Sequence, residues 1–153
     1  MNEITFQKVL YEDIKNNPGV YLIEVKNGKK YVGQSKNVRK RIQEHLREIF
    51  NNNSPTQPFH KIVHNIIVKQ KYTRENINEL FAFWLHPTST EKEAEEMEAW
   101  YLEQIALNKD EKAYYNLWYG SQAELNNFKK EIFRQKKIKE KNKSIFPTNN
   151  IIF

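Results

Sequence analysis

The chain has no cysteine, and that absence removes disulfides, thiolate zinc sites and cysteine nucleophiles together. Any metal must then be held by carboxylate, imidazole or amide groups, which favours a hard cation. No apolar run approaches the roughly 18 residues of a membrane-spanning helix. Residues 1–6 carry the acidic Glu3 and show nothing of a secretory signal. The expected setting is cytoplasmic, with no membrane partner. The length leaves no room for a second full core: 153 residues suit one domain with an appendage, since single domains mostly hold about 100 to 200 residues. The 39% apolar and 13% aromatic residues are enough for one packed core, and 29% charged residues suit a folded, water-soluble chain.

A net charge of +6 hints at a polyanionic partner, but its distribution says more. Residues 121–153 hold eight Lys/Arg against three Asp/Glu, so the first 120 residues carry only +1. Within that body, residues 26–47 have eight basic residues against Glu44 alone, and residues 91–111 have eight acidic residues against Lys92 and Lys109. Opposed segments of this kind arise from simple solubility as readily as from function.

Residues 4–14 place Val9, Leu10 and Ile14 at helical spacing before Asn16, Asn17 and Pro18 break the pattern, which predicts a short lead-in helix over residues 1–17. From Gly19 a β-branched and aromatic run is followed, across Asn27 and Gly28, by Lys30, Tyr31 and Val32, a β-hairpin pattern. Val38, Ile42, Leu46 and Ile49 recur every three or four residues behind Asn37, predicting an N-capped amphipathic helix over 37–50. Phe59, Ile62, Val63, Ile66 and Ile67 suggest another helix, residues 80–85 a third strand, and Thr88–Thr90 the start of a long acidic helix reaching about Leu107. Tyr115 to Leu117 reads as extended, and Leu125, Phe128 and Ile132 give the tail over 121–153 a helical stripe. The order predicts an α+β domain, a small mainly antiparallel sheet flanked by helices, with a basic helical C-terminal tail.

In the acidic helix, Ala94, Met97, Tyr101, Leu102 and Ile105 define an inward arc with Glu98 in its middle, while Glu93, Glu96 and Glu103 project away. An inward carboxylate needs a basic partner or a cation, and this observation alone leaves both open. His45 falls in the stripe of the basic helix, and Arg41 borders it one turn earlier. Four-residue spacing lets a guanidinium grip a phosphate beside an imidazole that handles a proton, although a lone inward histidine is more often a hydrogen-bonded core residue. Tyr21 and Tyr31 lie on the two hairpin strands, where tyrosines usually pack; a phenol of ordinary pKa about 10 becomes a base only beside a cation that lowers it. His60 and His64 have the spacing of a zinc pair but no evident third ligand, so packing is the better reading of both.

Gly19-Val20-Tyr21, Tyr31-Val32-Gly33, Gln34-Ser35, and then Arg41 and His45 on the next helix resemble the signature of the GIY-YIG nuclease family. The helix around Glu98 resembles that family's metal-binding segment, and Tyr115-Asn116 its closing element, so the resemblance covers about residues 18–120. Val20 and Val32 stand where the family's motif has isoleucine, which keeps a β-branched strand residue.

The resemblance implies a three-stranded sheet flanked by helices and hydrolysis of a DNA phosphodiester with one divalent ion, Mg²⁺ or Mn²⁺. Glu98 matches the metal ligand, and Tyr21 the tyrosine that activates water. Tyr31 and His45 assist, Arg41 stabilises phosphoryl charge, and Asn116 fixes the metal-site geometry. DNA is the implied partner, with Lys30, Lys36 and Lys40 of the basic segment and Lys129 and Lys130 of the tail as candidate phosphate contacts. A compact restriction-type endonuclease, monomeric or a homodimer, is the expected role, and a GIY-YIG scaffold that binds DNA without cutting is the alternative. Joint action of Tyr21 and Tyr31 requires one sheet face. A two-residue Asn27-Gly28 turn would put them on opposite faces, so the expectation is a three-residue loop of Lys26, Asn27 and Gly28 with Gly28 left-handed.

Overall fold

A computed structural model describes residues 4–51, 57–115, 134 and 151–152. Strands β1 (Ile4–Thr5) and β2 (Gln7–Val9) precede a hairpin of β3 (Gly19–Val25) and β4 (Lys30–Ser35). Helices α1 (Val38–Asn51), α2 (Pro58–Gln70) and the single-turn α3 (Ile77–Leu80) lead to β5 (Phe81–Pro87) and the long helix α4 (Glu91–Leu107). The main sheet is antiparallel in the order β2-β5-β3-β4. A small strand β6 (Ile151–Ile152) pairs in parallel with β1; the remainder of the predicted tail helix, with Lys129 and Lys130, lies outside the described residues, as does Asn116.

The inner strand β3 is covered on both faces, which explains an apolar run interrupted only by Glu24. Tyr21, Ile23 and Val25 turn to one face and pack with Phe81 and Phe83 of β5, Ile42, Leu46 and Ile49 of α1, and Phe59, Val63 and Ile67 of α2. Val20, Leu22 and Val32 turn to the other and meet Met97, Trp100, Tyr101 and Ile105 of α4. As expected from sequence, the Asn37 side chain caps α1 by accepting from the Lys40 N–H at 3.1 Å; Thr90 likewise caps α4 by accepting from the Glu93 N–H at 3.1 Å.

Three expectations are corrected. The described part of the expected lead-in helix, residues 4–17, is not a helix: Gln7–Val9 is a strand paired with Leu85–Phe83, and only Tyr11–Asp13 makes a helical turn. The helical spacing of Val9, Leu10 and Ile14 has no helix to support, Leu10 being 50% exposed, whereas the free edge of β5 offers Gln7–Val9 a ladder of backbone hydrogen bonds. That strand makes the sheet four-stranded rather than three-stranded. Finally, Glu103 does not project away but is buried. Helix α4 is enclosed over a wider arc than its main stripe, with Trp100 and Ala106 buried as well, so a projection seeking one apolar stripe leaves Glu103 outside.

Candidate active site

The hairpin register decides which side chains can meet. Val25 N–H donates to the Lys29 carbonyl and Gly28 N–H to the Val25 carbonyl, both at 2.8 Å, closing a three-residue loop. Gly28 takes φ +89°, a conformation that favours glycine, and the Asn27 side chain accepts from Lys29 N–H at 2.9 Å. Tyr31 therefore stands opposite Ile23, and Tyr21 opposite Gly33. Both tyrosines share the face covered by α1 and α2, their rings 6.5 Å apart and near parallel. Glycine at position 33 is required by this geometry, because a methyl group there would collide with the Tyr21 phenol, which lies across it.

Helix α1 supplies the next two groups from successive turns. His45 is fully buried, with its Nε2 2.9 Å from the Tyr21 hydroxyl and its ring edge-on to Tyr31 at 4.8 Å. Tyr31 is stacked in turn on Phe59 at 4.6 Å. Arg41 is partly exposed and paired with Glu44 at 3.0 Å. Burial pushes the Tyr21 phenol well above its ordinary pKa, with Tyr31 adding to the effect; the Arg41 guanidinium opposes it and the Glu98 charge reinforces it. Arg41 and Glu98 thus both act on this phenol, from opposite sides of the sheet.

Glu98 is half-buried. Burial pushes its carboxyl up to about 7, with repulsion from Glu95 contributing. Among the described residues no hydrogen bond or ion pair engages it. A partly desolvated carboxylate without a basic partner is suited to hold a divalent cation. Among the described residues no cluster of three or more His, Cys, Asp or Glu could hold an ion, so Glu98 would be one of few protein donors. The remaining coordination positions would fall to water and phosphate oxygens, as suits Mg²⁺.

Tyr21, Tyr31, Arg41 and His45 thus gather on one face, Glu98 of α4 reaches the Tyr21 phenol through its charge, and the candidate phosphate contacts divide. Lys36 and Lys40 are exposed around the start of α1. Lys30 stands at the hairpin end of β4, about 20 Å along the strand from Lys36, with its ammonium 5.8 Å from the Tyr114 ring centre.

One further residue joins the cluster although its sequence spacing points to a surface or packing role. His60, buried at 3% exposure, has its Nε2 2.8 Å from His45 Nδ1. The available signal was its place on the stripe of α2: His60, Val63 and Ile67 are buried and Ile62 is not. His64 is unrelated, its Nδ1–H donating to the Ile49 carbonyl at 2.8 Å. The closing element contributes Tyr115, which hydrogen-bonds Asn27 at 2.8 Å and donates its N–H to the Lys30 carbonyl at 2.7 Å.

A family model described as the GIY-YIG catalytic domain matches residues 17–116. No curated protein and no solved structure matches the chain.

Proposed function

The chain belongs to the GIY-YIG family, and from that premise we propose that it is a metal-dependent DNA endonuclease hydrolysing a phosphodiester with one divalent ion, in a restriction-type role. The observation that carries this reading is the Tyr21–His45 hydrogen bond, with Arg41 one turn earlier on α1 and a half-buried Glu98 whose charge acts on the same phenol and which no basic residue among the described ones neutralises.

Glu98 would hold the divalent ion, and the chemistry supplied there would be positive charge that favours phosphodiester cleavage. Arg41, with planar donors and partial exposure, grips the phosphoryl oxygens and stabilises the charge that builds on them. Tyr21 orients the attacking water through its hydroxyl and hands a proton to His45. Tyr31 holds the imidazole edge-on and restricts its rotation. Lys36 and Lys40 contact flanking phosphates, and Asn116 orders the metal site, in line with the family resemblance.

The test compares wild type with Glu98→Ala on supercoiled plasmid in Mg²⁺ or Mn²⁺, with DNA binding measured in EDTA. The substitution should reduce cleavage by about 10³-fold or more and leave binding within a few fold. A wild type that cuts under neither ion but still binds would replace the enzyme by a non-cleaving DNA-binding module.

A further inference from the structure

The Tyr21–His45 contact continues one group further, and proton counting gives that extension a consequence. Both nitrogens of His45 are engaged: Nε2 with the Tyr21 hydroxyl at 2.9 Å and Nδ1 with His60 Nε2 at 2.8 Å. A neutral imidazole carries one N–H, so only two patterns satisfy both contacts. In one, Tyr21 donates to His45 Nε2, and His45 Nδ1–H donates to a His60 protonated on its other nitrogen. In the other, His60 Nε2–H donates to His45 Nδ1, and His45 donates to the Tyr21 oxygen, which leaves His45 unable to receive the phenolic proton. The tautomer of His60 selects between them.

The charged neighbours favour the first pattern. Glu48, one turn beyond His45 on α1, acts on His60 and attracts a proton there, and with Nε2 turned to His45 the nitrogen left to carry it is Nδ1. Arg41 disfavours positive charge at both rings, and Tyr21, Tyr31 and Phe59 complete the surroundings of His45. Resting on the nuclease reading above, we propose that His60 is a positioning residue for the reaction: it holds His45 in the tautomer that accepts the Tyr21 proton and takes up the proton that His45 passes on.

The step balances without a further reactant. A water O–H breaks as the Tyr21 oxygen gains a proton, the former Tyr21 proton moves to His45 Nε2, and the His45 Nδ1 proton moves to His60 Nε2. His45 ends neutral and the positive charge sits on His60, near the Glu48 carboxylate. A second acceptor is needed because burial, with Arg41 and His60 adding to it, pushes His45 down to about 3, so an imidazolium is not stable there. Burial and then Arg41 lower His60 as well, but Glu48 opposes them in part, an aid that is not among the influences on His45.

Two measurements test this. Long-range ¹H–¹⁵N spectra of the metal-free wild type should show His45 protonated at Nδ1 and bare at Nε2, and the opposite tautomer would overturn the proposal whether or not the protein cuts DNA. The second compares His60→Gln and His60→Phe with wild type in single-turnover cleavage of plasmid DNA at saturating Mg²⁺. Gln keeps an acceptor for His45 Nδ1–H but cannot take a proton, so His60→Gln should keep the His45 tautomer, lose about 10²-fold in rate and lose the part of the acid-side fall that arises from protonating His60. His60→Phe should lose the tautomer as well and cleave no faster than His60→Gln. Cleavage by His60→Gln within threefold of wild type, with an unchanged pH profile, would overturn the proposal. A wild type that cuts nothing would overturn the nuclease reading and the proton step with it, while the spectra still decide whether His60 sets the tautomer.

Discussion

Replacing Glu98 by glutamine should stabilise the metal-free protein at neutral and alkaline pH. Burial and Glu95 push the carboxyl from its ordinary 4.5 up to about 7, so the fold favours the neutral acid. Below pH 4.5 the group is protonated in both folded and unfolded chains and costs nothing. Between 4.5 and 7 the unfolded chain ionises first and stability falls. Above 7 the full cost is present. A rise of that size corresponds to at most about 3 kcal/mol, and the partial exposure of Glu98 lowers the expectation to about 1–2 kcal/mol. Glutamine has nearly the same shape and cannot ionise. Thermal unfolding in EDTA should therefore give matching midpoints near pH 4 and a variant midpoint higher by about 2–8 °C at pH 8, taking about 2–4 °C per kcal/mol for a chain of this size. Added Mg²⁺ should raise the wild-type midpoint at pH 8 and not that of the variant. A Glu98→Gln protein less stable than wild type at pH 8 would refute the reasoning, because it would mean that the carboxylate already has a favourable partner.

Gly33→Ala should push the Tyr21 ring off the strand and break its hydrogen bond to His45; plasmid cleavage should fall about 100-fold, the usual scale for a misplaced reacting group, while circular dichroism still reports a folded protein. Gly28→Ala meets no atom within 4 Å of the added methyl but must hold φ +89°, so urea unfolding should show a loss of about 1–2 kcal/mol from backbone strain alone, with the cleavage rate per folded molecule unchanged.

Elements whose form follows from local spacing and capping are legible in the sequence. The stripe Val38, Ile42, Leu46 and Ile49 reports one buried face of α1, and Asn37 announces its start by offering an acceptor to a free N–H. The hairpin register was legible for another reason. Asn27-Gly28 by local preference suggests a two-residue turn, but the requirement that two phenols share a face selects the odd loop that is found. The first seventeen residues carried no comparable constraint. Gln7–Val9 is a strand because β5, more than seventy residues later, has an edge to pair, and no local spacing reveals such a partner.

The site follows the same division between a residue's direction and its partner. Periodicity shows that a polar side chain turns inward, as with His45 and Glu98, but cannot say what it meets there, because the answer comes from another element. His45 lies between Tyr21 of β3 and His60 of α2, so its two contacts join three segments that sequence spacing leaves unrelated. His60 and His64 sit at the same four-residue interval, yet one bonds a buried imidazole and the other a helix carbonyl. On α1 the family motif stops at the first imidazole, and the hydrogen bond from its second nitrogen fixes which proton that imidazole can receive. In this chain the extension is possible because α2 packs beside α1 and turns His60 inward with Phe59 and Val63, so the choice of proton pathway is made by helix packing and not by the motif itself.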